Sequence, residues 1–225
     1  MSGVTLVYGA PGTGKSTLLA TVIALHADTE PVCVLDVTGD LDVLVTNYGP
    51  RYGVYYVDGD SFTSNITENW YRFSAGDIVL CKPKPGQTAE RAIAAFRRFL
   101  LDIREPLRFR TFVCDESETL FPGGRTEHPI EDRFLRARNT GTSIYLATKR
   151  PTRVPAVIRS TSMRAVVFRL NSDEDVRATR ELGPGHLFDS AQSLPTGTAL
   201  YHDGTKPPPE KLLRINSDDV SVPWI

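Results

Sequence analysis

The sequence predicts an α/β fold with a mostly parallel central sheet, helices on both faces and an antiparallel C-terminal extension. Three observations carry this. Apolar strand-like runs alternate with helix-periodic segments along the chain, the order that builds parallel sheets. The length, 225 residues, suits one domain spanning 1–225, and no repeat or linker divides it. Hydrophobic residues make up 40% and charged residues 24%, a balance that excludes a disordered, collagenous or coiled-coil chain.

Residues 4–8 are a short strand of buried type, followed by a glycine-rich turn and a helix from 15 to about 27. Residues 32–36 form the second strand, closed by Thr38-Gly39-Asp40. Residues 48–60, rich in Tyr, Gly and Val, read as a strand or a hairpin. Residues 77–81 are a strand stopped by Lys82-Pro83-Lys84-Pro85-Gly86, because proline cannot donate to a sheet ladder. Residues 88–104 place Ala92, Ala95, Phe96, Phe99 and Leu100 at helical spacing. Strands are expected at 110–114 and 143–147, with a helix over about 130–138 between them. Residues 165–170 are a strand, and 173–182 a helix whose acidic start suits a positive N-terminal end. Strands at 198–201 and 211–215, joined by the Pro-rich loop 204–209, form the antiparallel pair.

The strongest chemical signal is Gly9-Ala10-Pro11-Gly12-Thr13-Gly14-Lys15-Ser16, set between the first strand and the first helix. It fits the P-loop pattern. Glycines let backbone N–H groups turn inward around phosphate oxygens, and the helix opening at Lys15 presents its positive end to the same anion. Lys15 is expected on the β- and γ-phosphates and the Ser16 hydroxyl on Mg²⁺. Residues 9–17, Thr17 included, are the expected nucleotide-binding segment, with ATP and Mg²⁺ as cofactors.

Two further stretches point to the same edge of the sheet. In Phe112-Val113-Cys114-Asp115-Glu116 an apolar strand runs into two carboxylates, which are costly if buried without partners. Beside the P-loop they have partners: Asp115 in the Mg²⁺ shell, and Glu116 as the base that orients and deprotonates a water. A catalytic glutamate implies water as acceptor, hence hydrolysis. The run 143–151 ends its strand in Thr148 and Lys149. Ligands of open α/β sheets bind outside the carboxyl ends of the strands, so Thr148 or Lys149 is expected to meet the γ-phosphate or the water.

Charge and cysteine usage narrow the setting. Net charge is −1, but ten arginines and one lysine face three carboxylates between Arg133 and Arg180, whereas residues 1–90 carry a net of −5. A basic C-terminal half points to a polyanion or to phosphate across a subunit interface. Cys33, Cys81 and Cys114 each lie in an apolar run without metal-type spacing and read as buried thiols in a reducing compartment. Neither a signal-peptide layout nor a membrane-spanning apolar stretch is visible, so a cytoplasmic protein is expected.

Beyond these patterns, the chain resembles the FtsK/HerA ATPases. Ala147-Thr148-Lys149-Arg150-Pro151, with Val154-Pro155 and Ile158-Arg159, is similar to that family's "ATQRP...IR" segment. The run 34–40 resembles its second strand with an Asp...Gly-acid turn. Arg164-Ala165-Val166-Val167-Phe168 with Asp175-Val176-Arg177 resembles its "RIAF...DSR" region, and Gly197-Thr198-Ala199-Leu200-Tyr201 its "GDMLY" ending. The resemblance covers nearly the whole chain. It implies a RecA-like P-loop NTPase that works as a homo-oligomeric ring, often a hexamer, and moves double-stranded DNA without reading its sequence. The chain holds only the ATPase core, and that compact form looks like the genome-packaging ATPases of membrane-containing icosahedral viruses. A capsid vertex or viral membrane protein is then an expected partner, and the virion an expected location. Where the family usually has Gln, this chain has Lys149, which can donate but not accept. Such rings complete each site with a neighbour's arginine, and Arg133, Arg136, Arg138, Arg164 and Arg177 are the candidates, Arg136 and Arg138 foremost. For DNA phosphates the loop cations Lys82, Lys84, Arg150, Arg153 and Arg159 are expected. Alternatives are a virion-assembly or secretion ATPase acting on protein, a cellular or plasmid DNA pump, and a small-molecule kinase.

Overall fold

In a computed structural model of the protein, residues 2–46, 51–57, 73–101, 109–182, 188–204 and 211–214 are described. Their elements, in chain order, are β1 (Gly3–Tyr8), α1 (Lys15–Ala27), β2 (Val32–Leu35), α2 (Asp40–Thr46), β3 (Gly53–Val57), β4 (Asp77–Cys81) and α3 (Glu90–Leu101). Then follow β5 (Thr111–Cys114), α4 (His128–Leu135), β6 (Ser143–Thr148), α5 (Ala156–Thr161), β7 (Arg164–Phe168), α6 (Asp173–Thr179), β8 (Thr198–Asp203) and β9 (Lys211–Arg214). The strands join in one sheet, ordered β3-β4-β2-β5-β6-β1-β7-β8-β9. Pairing is parallel from β3 through β7 and antiparallel for β7–β8 and β8–β9.

Strand side chains alternate between two buried faces, which is why the central runs are apolar throughout. Val32 and Val34 of β2, with Val7, Val113 and Ala147, pack against Leu18, Leu19, Val22 and Ile23 of α1 and Leu41 and Val45 of α2. Cys33 and Leu35 point the other way, with Phe112, Ile144 and Leu146, onto Ala92, Phe96, Phe99 and Leu100 of α3, Ile130 and Phe134 of α4, Ile158 of α5 and Val176 of α6. Each fully buried Leu, Ile or Phe contributes about 1.5–3 kcal/mol, so both layers are held by many such side chains. This is the RecA-like α/β architecture that the sequence predicts. The three cysteines are buried and free, and burial pushes the Cys33 and Cys114 thiols up. Among the described residues no helix is long and apolar enough to cross a membrane.

Several boundaries differ from expectation for identifiable reasons. Within 48–60 the described residues, 51–57, hold β3, which pairs in parallel with β4 and so is not half of a hairpin; residues 48–50 and 58–60 lie outside the described set, as do 205–210 of the Pro-rich loop. The turn at Thr38-Gly39-Asp40 opens α2, which the sequence reading lacked. Asp36 explains it: Oδ1 accepts from Gly39 N at 2.8 Å and Oδ2 from Asp42 N at 2.8 Å, satisfying N–H groups that a helix start leaves open. The helix expected over 130–138 is α4, ending at Leu135. Arg136 and Arg138 therefore lie in the turns leading to β6. The six-residue helix α5 is a second addition.

Candidate active site

Register brings the chemical residues together. Tyr8 of β1 pairs with Thr148 of β6, and Cys114 of β5 with Leu146 of β6. The P-loop, Asp115-Glu116 and Lys149 thus leave adjacent strands at one edge. Glycine is required at two loop positions. Gly14, which precedes α1, has φ 114°, and a Cβ there would meet Phe168 Cε1 at 3.1 Å; at Gly9 it would meet Phe168 Cβ and Thr13 Oγ1, each at 2.7 Å. The loop is moulded on Phe168 and tied at both ends: Ala10 N donates to Arg169 O at 2.8 Å, and Gly197 N to Thr13 O at 3.1 Å.

Lys15 is buried, and its Nζ donates to Ala10 O at 3.0 Å. Its ammonium therefore lies folded within the loop. Burial pushes its pKa down, opposed by Asp115, while neighbouring Lys149 lowers it further. Ser16 Oγ donates to Asp115 Oδ2 at 3.1 Å. Burial raises the Asp115 carboxyl, and the Ser16 hydroxyl, the Glu116 N–H and Lys15 act against that rise. Hydroxyl and carboxylate are both hard oxygen donors. Among the described residues no group of three or more His, Cys, Asp or Glu side chains could hold a metal alone. The Ser16–Asp115 pair hence fits a cation that completes its shell with phosphate and water, as Mg²⁺ does.

Glu116 is, among the described residues, the non-glycine with positive φ, 53°. It heads a short 3₁₀ turn (Ser117–Leu120), where Thr119 N and Oγ1 both donate to its carbonyl at 2.9 Å. Its carboxylate is thereby turned toward β6, where Lys149 Nζ donates to Oε1. That bond is the main reason the Lys149 pKa is raised. Thr148 is buried and structural: its carbonyl accepts from Gly9 N at 3.3 Å and its Oγ1 from Arg150 N at 3.1 Å. A cleft of about 640 Å³ extends from Gly12, Lys15 and Thr17 to Val43 and Leu44 of α2 on one side and Thr196-Gly197 on the other. Those walls were not among the expected nucleotide contacts. Gly197 heads the stretch that resembles the family's "GDMLY" ending, but nothing local links it to a loop some 180 residues away.

The foremost arginine candidates are not brought to this edge. Ser2 Oγ donates to Arg138 O at 3.2 Å and Gly3 N to Thr142 O at 2.8 Å, so Arg136 and Arg138 stand at the start of β1, opposite the P-loop. Arg136 Nε pairs with Asp132 at 2.7 Å. Arg133 is buried, donating from Nε to Leu100 O at 3.0 Å and from Nη1 to Thr140 Oγ1 at 3.2 Å. Arg164 is buried at the start of β7, 3.9 Å from Asp203. Arg177 is exposed on α6, which packs on the turn holding exposed Arg150 and Arg153 behind Lys149. Of the loop cations, Lys84 is exposed. Lys82 pairs with Asp42 at 2.5 Å, and Arg159 Nη1 donates to Val154 O, bracing the Pro151 turn.

No protein-family model matches the chain, and no curated protein matches it significantly. Solved structures do. The genome-packaging NTPase B204 of Sulfolobus turreted icosahedral virus 2, in complex with ATP-γS, superposes with a TM-score of 0.66 over 95% of this chain and 97% of that one, at 12% identity. VirB4 of Thermoanaerobacter pseudethanolicus gives 0.64 over 99% and 90%, also at 12% identity. EccC of Thermomonospora curvata, in complex with a signal sequence peptide, gives 0.58 over 95% of this chain and 36% of that one, at 17% identity. The likeness is to FtsK/HerA-type P-loop ATPases, as the sequence resemblance implies, and at these identities it is a likeness of fold.

Proposed function

We propose that the protein is an ATP-hydrolysing motor that translocates double-stranded DNA and packages a viral genome into a preformed capsid. The observation carrying the hydrolysis is the meeting of Lys15, Ser16, Asp115, Glu116 and Lys149 at one sheet edge. Lys15, released from Ala10 O, binds the β- and γ-phosphates; Ser16 and Asp115 would hold Mg²⁺, which would supply charge neutralisation to the phosphates. Glu116 takes a proton from the attacking water at its carboxylate. The likeness to B204 at nearly full length on both chains supports the packaging reading. A packaging motor must grip any sequence and therefore contacts phosphates, not base edges. Lys84, Arg150 and Arg153, exposed on loops at the P-loop edge, are the cations proposed for this. The working form is a ring, a hexamer by analogy with the family, docked at a capsid vertex.

The test is ATP turnover of the assembled protein with and without double-stranded DNA, over a salt series. DNA-stimulated turnover is expected, with binding that weakens as salt rises by a slope of about 0.9 per phosphate contact. Lys15→Ala is expected to abolish turnover. Turnover indifferent to DNA would favour the protein-moving reading.

A further inference from the structure

The Lys149–Glu116 pair joins the residue that departs from the family pattern to the carboxylate assigned as the base. Resting on the hydrolytic reading above, we propose that Lys149 exchanges partners: it holds Glu116 while the P-loop is empty and moves to the γ-phosphate when ATP binds. The base is thus freed only on a loaded site, and Lys149 acts as a positioning residue.

Four observations support the exchange. The backbone on either side of Lys149 is fixed, since Thr148 is bonded to Gly9 and Arg150; what can move is the four-carbon side chain, 44% exposed. Lys149 directly follows Thr148, which pairs with Tyr8 and accepts from Gly9 N at the start of the P-loop, so its side chain leaves the sheet at the same edge as the loop that carries Lys15. The present partner is weakly held, because a partly exposed ion pair contributes little to stability and a triphosphate offers more negative charge than one carboxylate. Finally, an ammonium has three donors and no acceptor. It can pass between two anions but cannot hold a water as glutamine can, and a Lys at this position is therefore suited to the exchange.

The experiment measures affinity, not turnover. Dissociation constants for Mg²⁺·AMPPNP and for Mg²⁺·ADP are determined on wild type, Lys149→Met, Lys149→Arg, Glu116→Gln and the Lys149→Met/Glu116→Gln double variant. Lys149→Met is expected to weaken AMPPNP about tenfold or more, the loss of one charged hydrogen bond, with ADP changed less than about twofold, and Lys149→Arg to restore the preference for triphosphate. Glu116→Gln is expected to tighten AMPPNP by releasing Lys149, and this gain should vanish in the Lys149→Met background. Equal weakening of AMPPNP and ADP by Lys149→Met would overturn the exchange. So would an undiminished gain from Glu116→Gln without Lys149, which would mark simple charge repulsion. If Lys15→Ala bound both nucleotides as tightly as wild type, the P-loop reading itself would fall, and the exchange with it.

Discussion

At the scale of single residues, Glu116 has the most consequential geometry. Its φ of 53° puts a side-chain-bearing residue in left-handed space, which costs roughly 1–2 kcal/mol. The strain aims the carboxylate across the strand gap to β6 and keeps Asp115 Oδ1 on the Glu116 N–H at 3.0 Å. Two consequences separate the chemistry from the strain. Glu116→Gln keeps the shape and removes the base, so turnover is expected to fall about 10²–10⁴-fold while ATP still binds; normal turnover would move the base elsewhere. Glu116→Ala and Glu116→Gly both lack the carboxylate but differ in backbone freedom. The glycine variant is expected to be the more stable by about 0.5–1 kcal/mol, after its own entropy cost, which urea denaturation of the two variants would show.

At the scale of elements, the helix over His128–Leu135 is fastened by Arg133. Its guanidinium reaches across to Leu100 O at the end of α3 and to Thr140 Oγ1, joining α3, α4 and the turn before β6. Arg133→Met keeps the aliphatic bulk and strands a buried carbonyl, at a cost of about 1–3 kcal/mol. It is expected to lower the unfolding midpoint while leaving turnover per folded molecule unchanged; a selective loss of turnover would return Arg133 to the catalytic candidates. Arg133 also shows where the sequence was legible. α1 and α3 could be read because their apolar spacing is long and regular, and the P-loop and the Asp-Glu pair because both are local strings. α2 was hidden because the group that starts it is the side chain of Asp36, outside the helix, and α5 is too short to show a period. The arginines could not be sorted. A position in the sequence says how far a residue lies from Lys149 along the chain, not at which end of a strand it emerges.

At the scale of the whole molecule, Arg177, one of the five trans candidates, is exposed on the P-loop edge beside Arg150 and Arg153, the loop cations proposed for DNA. In the proposed ring a trans arginine contributes on the order of 10³–10⁵ in rate, and distance from a subunit's own P-loop does not separate Arg136 and Arg138 from a neighbour's nucleotide. The Arg177→Ala protein is expected to be nearly inactive in ATP turnover measured without DNA. Mixing it with Lys15→Ala subunits should partly restore turnover, because some mixed interfaces combine an intact P-loop with intact arginines. Full activity of the Arg177→Ala protein alone would clear it.

The position of β1 in the sheet also bears on how the protein is made. Both neighbours of β1, β6 and β7, begin at Ser143 and Arg164, whereas β2, β4 and β5 pair among themselves earlier in the chain. On the ribosome, β1 waits for both partners through some 160 further residues, roughly 8–30 s of synthesis. Until β6 is made the glycine loop has neither Thr148 nor Phe168 to shape it, and until β7 is made it still lacks Phe168. Nucleotide therefore cannot template early folding of this chain. Nascent chains arrested before β6 is out should ignore ATP, and ATP protection from protease should begin only when β7 has been released.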